Sequence, residues 1–177
     1  MKRKIKLSFC ILKCIKTILI HKWYVFWAGL KVKAPIFRLI IHDWSKFTPT
    51  ELVNYARIYY LKDMDPWWKD HDKRKYYYCW LKHQNRNPHH WEYWMTRSGV
   101  PLIERDHAIV DTLTMSEWAV REMIADWIGA SVAYTGKYPD FNNWEWYEKN
   151  KNKIQVDFFT REKIKTIIEQ LRKDQKR

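Results

Sequence analysis

The chain has 177 residues and a formal net charge of +13, and 46% of its residues are hydrophobic. That hydrophobic share excludes a disordered chain, four glycines and six prolines exclude collagen-like or low-complexity sequence, and the length fits one domain. The charge is uneven: residues 1–33 hold nine Lys/Arg and no acid, residues 149–177 hold ten bases and four acids, and the stretch between is close to neutral. Such basic ends suit solvated helix faces, or a rim that attracts nucleotides or nucleic acid.

Read in chain order, nearly every segment is helical. Ile5, Phe9, Leu12, Ile15, Leu19, Trp23, Phe26 and Leu30 recur at spacings of three and four, which predicts an amphipathic first helix. Lys13, Lys16 and Lys22 cut its apolar runs far short of the roughly 18 residues of a membrane span, and no cleavage pattern follows, so neither a transmembrane segment nor a signal peptide is expected. A basic amphipathic helix can still lie on a membrane surface. Cys10, Cys14 and Cys79 lack zinc-ribbon or CxxC spacing and read as buried thiols in a reducing, cytoplasmic setting.

Pro35 opens a second helix, PIFRLIIHDWSKF. Thr48-Pro49-Thr50-Glu51 reads as a capping box for a third, ELVNYARIYYLKD. DMDPWWKDHD reads as a loop, KRKYYYCWLKH as a helix ended by the NRNP breaker, and HHWEYWM as a short helix behind Pro88. Thr114-Met115-Ser116-Glu117 forms a second capping-box pattern before MSEWAVREMIADWIGASVAY. Gly136, Pro139 and Asn142-Asn143 mark a loop, and Thr160 is placed to cap a closing helix, REKIKTIIEQLRK. The expectation is all-α: a single compact helical bundle over 1–177, with a chemical core in 21–126 and basic helical ends at 1–33 and 149–177.

The residues with metal-binding chemistry cluster. His21 lies on the first helix, His42 and Asp43 form a doublet on the second, and His83, His89 and His90 fall within eight residues. Asp126 stands between Ala125 and Trp127 in an apolar helix, where a buried carboxylate needs a partner such as a metal ion. On a helix, Lys46 shares a face with His42 and Asp43. Separate helices supplying imidazole and carboxylate are how helical bundles build metal sites, and this mixture suits Mn, Fe, Co, Ni or Zn. Arg86 is a candidate phosphate clamp, and Glu122, one turn before Asp126, a candidate ligand-orienting or proton-relaying group. Of the aromatic clusters Trp67-Trp68, Tyr76-Tyr77-Tyr78 and Trp91-Tyr93-Trp94, Trp91 or Trp94 is best placed to stack a base; His71 and His107 read as surface residues.

His21, His42-Asp43 and Asp126, in that order and separation, resemble the H…HD…D pattern of the HD superfamily of metal-dependent phosphohydrolases. The resemblance spans residues 21 to 126. HDWSK is also similar to the HDxxK form of bacterial cyclic-dinucleotide phosphodiesterases and of inositol oxygenases, in which further histidines bind a second metal. It implies one or two divalent transition metals held by His21, His42, Asp43, His83, His89, His90 and Asp126, with Asp43 able to bridge them. It further implies hydrolysis of a nucleotide or related small phosphoester, with Asp43, Lys46 and Glu122 in catalytic roles and Arg86, Lys46 and Trp91 contacting the substrate. No glycine-rich GYP-type motif follows the histidines, so the cyclic-dinucleotide specialisation is not implied, and Lys46 stands where five-prime nucleotidases often carry Glu. HKWYV, RLIIHDWSKF, HQNRNPHHWEYW and EMIADW together are also similar to a small family of phage and bacterial proteins without an assigned reaction, which would place the protein in a host cytoplasm. Two other functions compete: an HD-type di-iron oxygenase, and a non-catalytic basic module binding nucleic acid or an acidic protein.

Overall fold

In the computed structural model the first helix, α1 (Lys2–Lys31), packs against the helices over Ile36–Ile41, Pro49–Ala56 and Glu117–Thr135. The structure describes the backbone of residues 2–61, 70–96 and 112–176, and side chains within 6–60, 74–96 and 112–176. Trp67, Trp68, His107 and the side chain of His71 lie outside the described residues, as does most of DMDPWWKDHD. After α1 come α2 (Ile36–Ile41), α3 (Pro49–Ala56), α4 (Asp70–Arg86), α5 (Glu117–Thr135), α6 (Glu145–Asn150) and α7 (Phe158–Gln175). The architecture is all-α; the described residues contain no strand, only an isolated bridge between Met95 and Thr112.

Two apolar clusters form the interior, and α1 belongs to both. Its C-terminal half sends Val25, Ala28 and Val32 into a larger core with α5 and α7. Its N-terminal half sends Cys10, Cys14 and Ile18 into a smaller one with Tyr55, Ala56 and Cys79. His21 falls between them. The helices α1 and α5 approach closely at Gly129, where a Cβ would come within 2.8 Å of the Val25 backbone nitrogen. The three cysteines are buried and unbridged, as expected.

The buried face of α1 is not the stripe that its largest apolar residues suggest. Phe9, Leu12, Leu19, Trp23 and Leu30 are exposed, while the smaller Cys10, Cys14 and Ala28 are buried with Ile18 and Val25. Small residues on the inner side let neighbouring helices come close.

Several helix boundaries also differ from expectation. The continuous helix over PIFRLIIHDWSKF is broken at the doublet: α2 stops at Ile41, Asp43 takes a left-handed conformation (φ 54°, ψ 23°), and a 3-10 turn follows over Trp44–Phe47. Thr48 does precede α3, but its hydroxyl donates to Ser45 O at 2.8 Å and makes no cap bond, and Glu51 is buried, so no capping box forms. Beyond Ala56 the chain tightens no further but widens into a π-turn, Arg57–Leu61. The helix α5 begins at Glu117, because Thr114 and Met115 are drawn to α7: Thr114 Oγ1 donates to Asp157 Oδ1 and the Met115 N–H to Thr160 Oγ1, both at 2.9 Å. Asp157, not Thr160, caps α7, accepting from the Phe159 and Thr160 N–H groups. The helix α6 follows the loop marked by Gly136, Pro139 and Asn142-Asn143, in a stretch where no helix was expected.

Candidate metal centre

The left-handed turn at Asp43 determines what the doublet can do. A residue with a Cβ rarely adopts φ near +54°, although Asp tolerates it better than most. The reversal ends α2 and leaves the Asp43 carboxylate fully buried, with its two oxygens pointing at different histidines. Oδ2 lies 3.4 Å from His21 Nε2 and 3.3 Å from His42 Nε2. Oδ1 lies 3.2 Å from His83 Nε2 and 3.4 Å from His89 Nε2. Asp126 completes the first group: its Oδ1 is 3.0 Å from His21 Nε2 and 3.4 Å from His42 Nε2. His90 completes the second.

Two sets of donor atoms that could hold a metal ion therefore share one carboxylate: His21, His42, Asp43 and Asp126, and Asp43, His83, His89 and His90. Within each, the donors lie within 4.8 Å of one another. The Nε2 atoms of His21, His42, His83, His89 and His90 and the Asp43 Oδ1 atom are buried without a hydrogen-bond partner. So many converging unpaired groups would be costly in a protein interior, and a cation among them satisfies all of them at once. Imidazole nitrogens with one or two carboxylates form a donor set suited to a divalent transition metal.

Behind the ligands stand two more buried carboxylates. Glu122 Oε1 accepts from His42 Nδ1 at 3.1 Å and lies 3.1 Å from His89 Nδ1, while its Oε2 accepts from Arg38 Nε at 2.9 Å. It thereby orients one histidine from each set. Glu51 Oε2 accepts from His83 Nδ1 at 2.9 Å and from Ser45 Oγ at 3.1 Å. A carboxylate on Nδ1 holds the proton there and leaves the Nε2 lone pair free for a metal. Lys22 secures the doublet from α1, its ammonium donating to the Ile40 and His42 carbonyls.

The charge state without metal follows from this packing. Burial pushes His42 toward neutrality, but Asp43, Asp126 and Glu122 outweigh it and hold its pKa well above the ordinary value. His83 is raised by Asp43 and Glu51 against the same penalty. Asp43 is buried and Asp126 largely so, yet their histidine neighbours, with Lys46 beside Asp43, keep both well below the usual carboxylate range. Burial would raise Glu122, and hydrogen bonds from His42 and His89 bring it down to about 2. His90, buried beside His89 without a carboxylate of its own, is held well below the ordinary histidine value.

A cavity of about 770 Å³ opens on the centre. His21, His89, His90 and Asp126 reach it from the metal side, Lys46 is at its edge, and much of the remaining wall is aromatic, including Tyr59, Tyr76, Trp91 and Trp127. Lys46 pairs with Asp43 Oδ2, and this ion pair outweighs burial in raising its pKa. Trp91 lines the cavity as expected of a base-stacking residue. Trp94 does not, since its indole donates to Pro88 O at 2.7 Å and packs on the larger core. Arg86 does not line the cavity either: it lies 3.5 Å from Glu51 Oε1 with its side chain half exposed. Glu122 is fully buried behind His42 and His89 and does not line the cavity.

Glu51, Ser45 and Lys22 escaped the sequence reading. For Glu51 a signal existed, because it stands one helical turn before Tyr55 on the apolar side of α3, where a carboxylate needs a partner. The chain matches the family of unknown function DUF5662 over residues 10–174. It belongs to this family. No curated protein and no solved structure matches it.

Proposed function

We propose that this protein is an HD-type, metal-dependent phosphohydrolase acting on a nucleotide or related small phosphoester. The observation that supports this most is the division of the Asp43 carboxylate, Oδ2 toward His21 and His42 and Oδ1 toward His83 and His89, as a bridging ligand between two ions requires. Divalent Mn, Fe, Co, Ni or Zn at such donors lowers the pKa of coordinated water and polarises a phosphoryl oxygen.

The chain's own residues would do the rest. Asp43 and Asp126 supply negative charge that retains the cations, while Glu122 and Glu51 fix the tautomers of three histidines. Lys46 remains protonated and places a positive charge at the cavity edge beside Asp43, where it balances phosphate charge that develops in the transition state. Among the described residues, Lys46 and Lys153 are the lysines lining the cavity and no arginine joins them, which favours one phosphoryl group over a polyphosphate chain. The aromatic wall, Trp91 included, offers a stacking surface to a planar ring and excludes water.

The test is to purify the protein without chelators, identify its metal and assay mono-, di-, tri- and cyclic nucleotides, with Asp43→Ala as control. Hydrolysis that needs metal and disappears in Asp43→Ala is expected. Metal-free protein whose nucleic-acid binding falls steeply with salt and survives loss of the histidines would replace the enzyme reading with a basic binding module. A di-iron oxygenase is the second reading, favoured by the three histidines, His83, His89 and His90, grouped with Asp43 in the second set; oxygen consumption with a mixed-valent iron signal would select it.

A further inference from the structure

The outer face of α1 has no role in the metal centre. Phe9, Leu12, Leu19, Trp23, Trp27 and Leu30 are 36–66% exposed, and at 100° per residue they occupy an arc of about 80° opposite the buried face of the helix. From Phe9 to Leu30 the stripe runs about 32 Å at the α-helical rise. The neighbouring α2, tied to α1 through Lys22, exposes Ile36, Phe37 and Ile40 as well. A contiguous apolar surface of this size on a folded protein marks an interaction site.

The charges on α1 indicate what covers it. Residues 6–33 include six lysines and no acid, with Lys16 inside the stripe and Lys13 and Lys31 along one edge. Two copies packed through this face would press lysine against lysine with no acid from either helix. A protein partner would have to bury Lys16 against a matching acid, whereas at a lipid surface that side chain extends its ammonium to the headgroups while its methylenes stay apolar. Indole rings such as those of Trp23 and Trp27 favour the same boundary between apolar and wet. No helix among the described residues is long and apolar enough to cross a membrane, so α1 would lie on it.

We propose that the outer face of α1 docks this protein onto an anionic phospholipid surface, with the helix in the interfacial plane. The inference is independent of the phosphohydrolase reading. It is tested by co-sedimentation of the full chain with vesicles of phosphatidylcholine alone and of phosphatidylcholine with phosphatidylglycerol. Binding to the anionic vesicles that weakens with salt is expected. Trp23→Ser with Trp27→Ser should lower partitioning by about tenfold or more, and so should Lys13→Gln with Lys16→Gln, while circular dichroism and melting temperature stay at wild-type values because these side chains are exposed. Absence of binding to anionic vesicles at low salt would overturn the proposal. So would binding that the tryptophan substitutions leave unchanged, or a wild-type dimer in light scattering that those substitutions convert to monomer.

Discussion

Two glutamates with similar chemistry should behave differently when neutralised. Glu122 faces one histidine of each set, His42 and His89, whereas Glu51 faces only His83. An amide in place of a carboxylate no longer holds the Nδ1 proton, and disturbed outer partners of this kind typically lower metal affinity about 10–100-fold. Glu122→Gln is therefore expected to weaken both ions, and Glu51→Gln to weaken one and leave the other near wild type. Metal content by mass spectrometry after dialysis against graded chelator measures the difference; equal loss in the two variants would contradict the division at Asp43. That the candidate donor residues would come together was largely legible in the sequence, because imidazoles and a helical carboxylate in an apolar setting need partners. Their partition into two sets was not, since it depends on the left-handed backbone at Asp43, which a helical reading of the doublet hides. Arg86 misled because proximity to a histidine in sequence says nothing about which side of the ring a side chain reaches.

At the scale of helices, the most extensive packing among the described residues is that of α1 on α5. Gly129→Ala would drive a methyl into the Val25 backbone, and because helix axes yield only by shifting their neighbours, a loss of roughly 1–3 kcal/mol is expected, read as a lower urea midpoint with unchanged slope. Helix existence was readable from periodicity and breakers, but boundaries failed where a side chain had a better tertiary partner. Glu51 left its capping position for His83, and Thr114 and Met115 left theirs for α7. On α1 the periodicity located the apolar arc correctly but not its direction, because Cys10, Cys14 and Ala28 are too small to dominate a hydrophobic pattern and are the residues that permit close packing.

The molecule as a whole is two apolar clusters with a charged centre at their junction, so its stability should depend on metal and pH together. Without metal, His42 and His83 hold protons more tightly than they do in the unfolded chain. Their contribution is complete below the ordinary histidine range and is lost as pH rises toward their elevated folded values. With metal the sign reverses: ligation displaces those protons, so affinity, and with it stability, increases with pH. At free metal about 100 times the dissociation constant the gain is about 2.7 kcal/mol. Scanning calorimetry at about pH 6 and pH 8 should show the chelated protein melting lower at the higher pH and the loaded protein melting higher. Parallel trends would contradict a metal at these histidines.

The position of α1 across both clusters has a consequence for biosynthesis. Its C-terminal half finds its main partner in α5, which begins at Glu117. At translation rates of about 5–20 residues per second, roughly 4–17 s separate completion of α1 from the start of α5. During that interval Val25, Ala28 and Val32 lack their partner on one side while the tryptophan stripe stays bare on the other. A helix made well before its partner is thus in need of a holding chaperone on the ribosome, and slowing translation between the two helices would lower the yield of soluble protein without altering the stability of the molecules that fold.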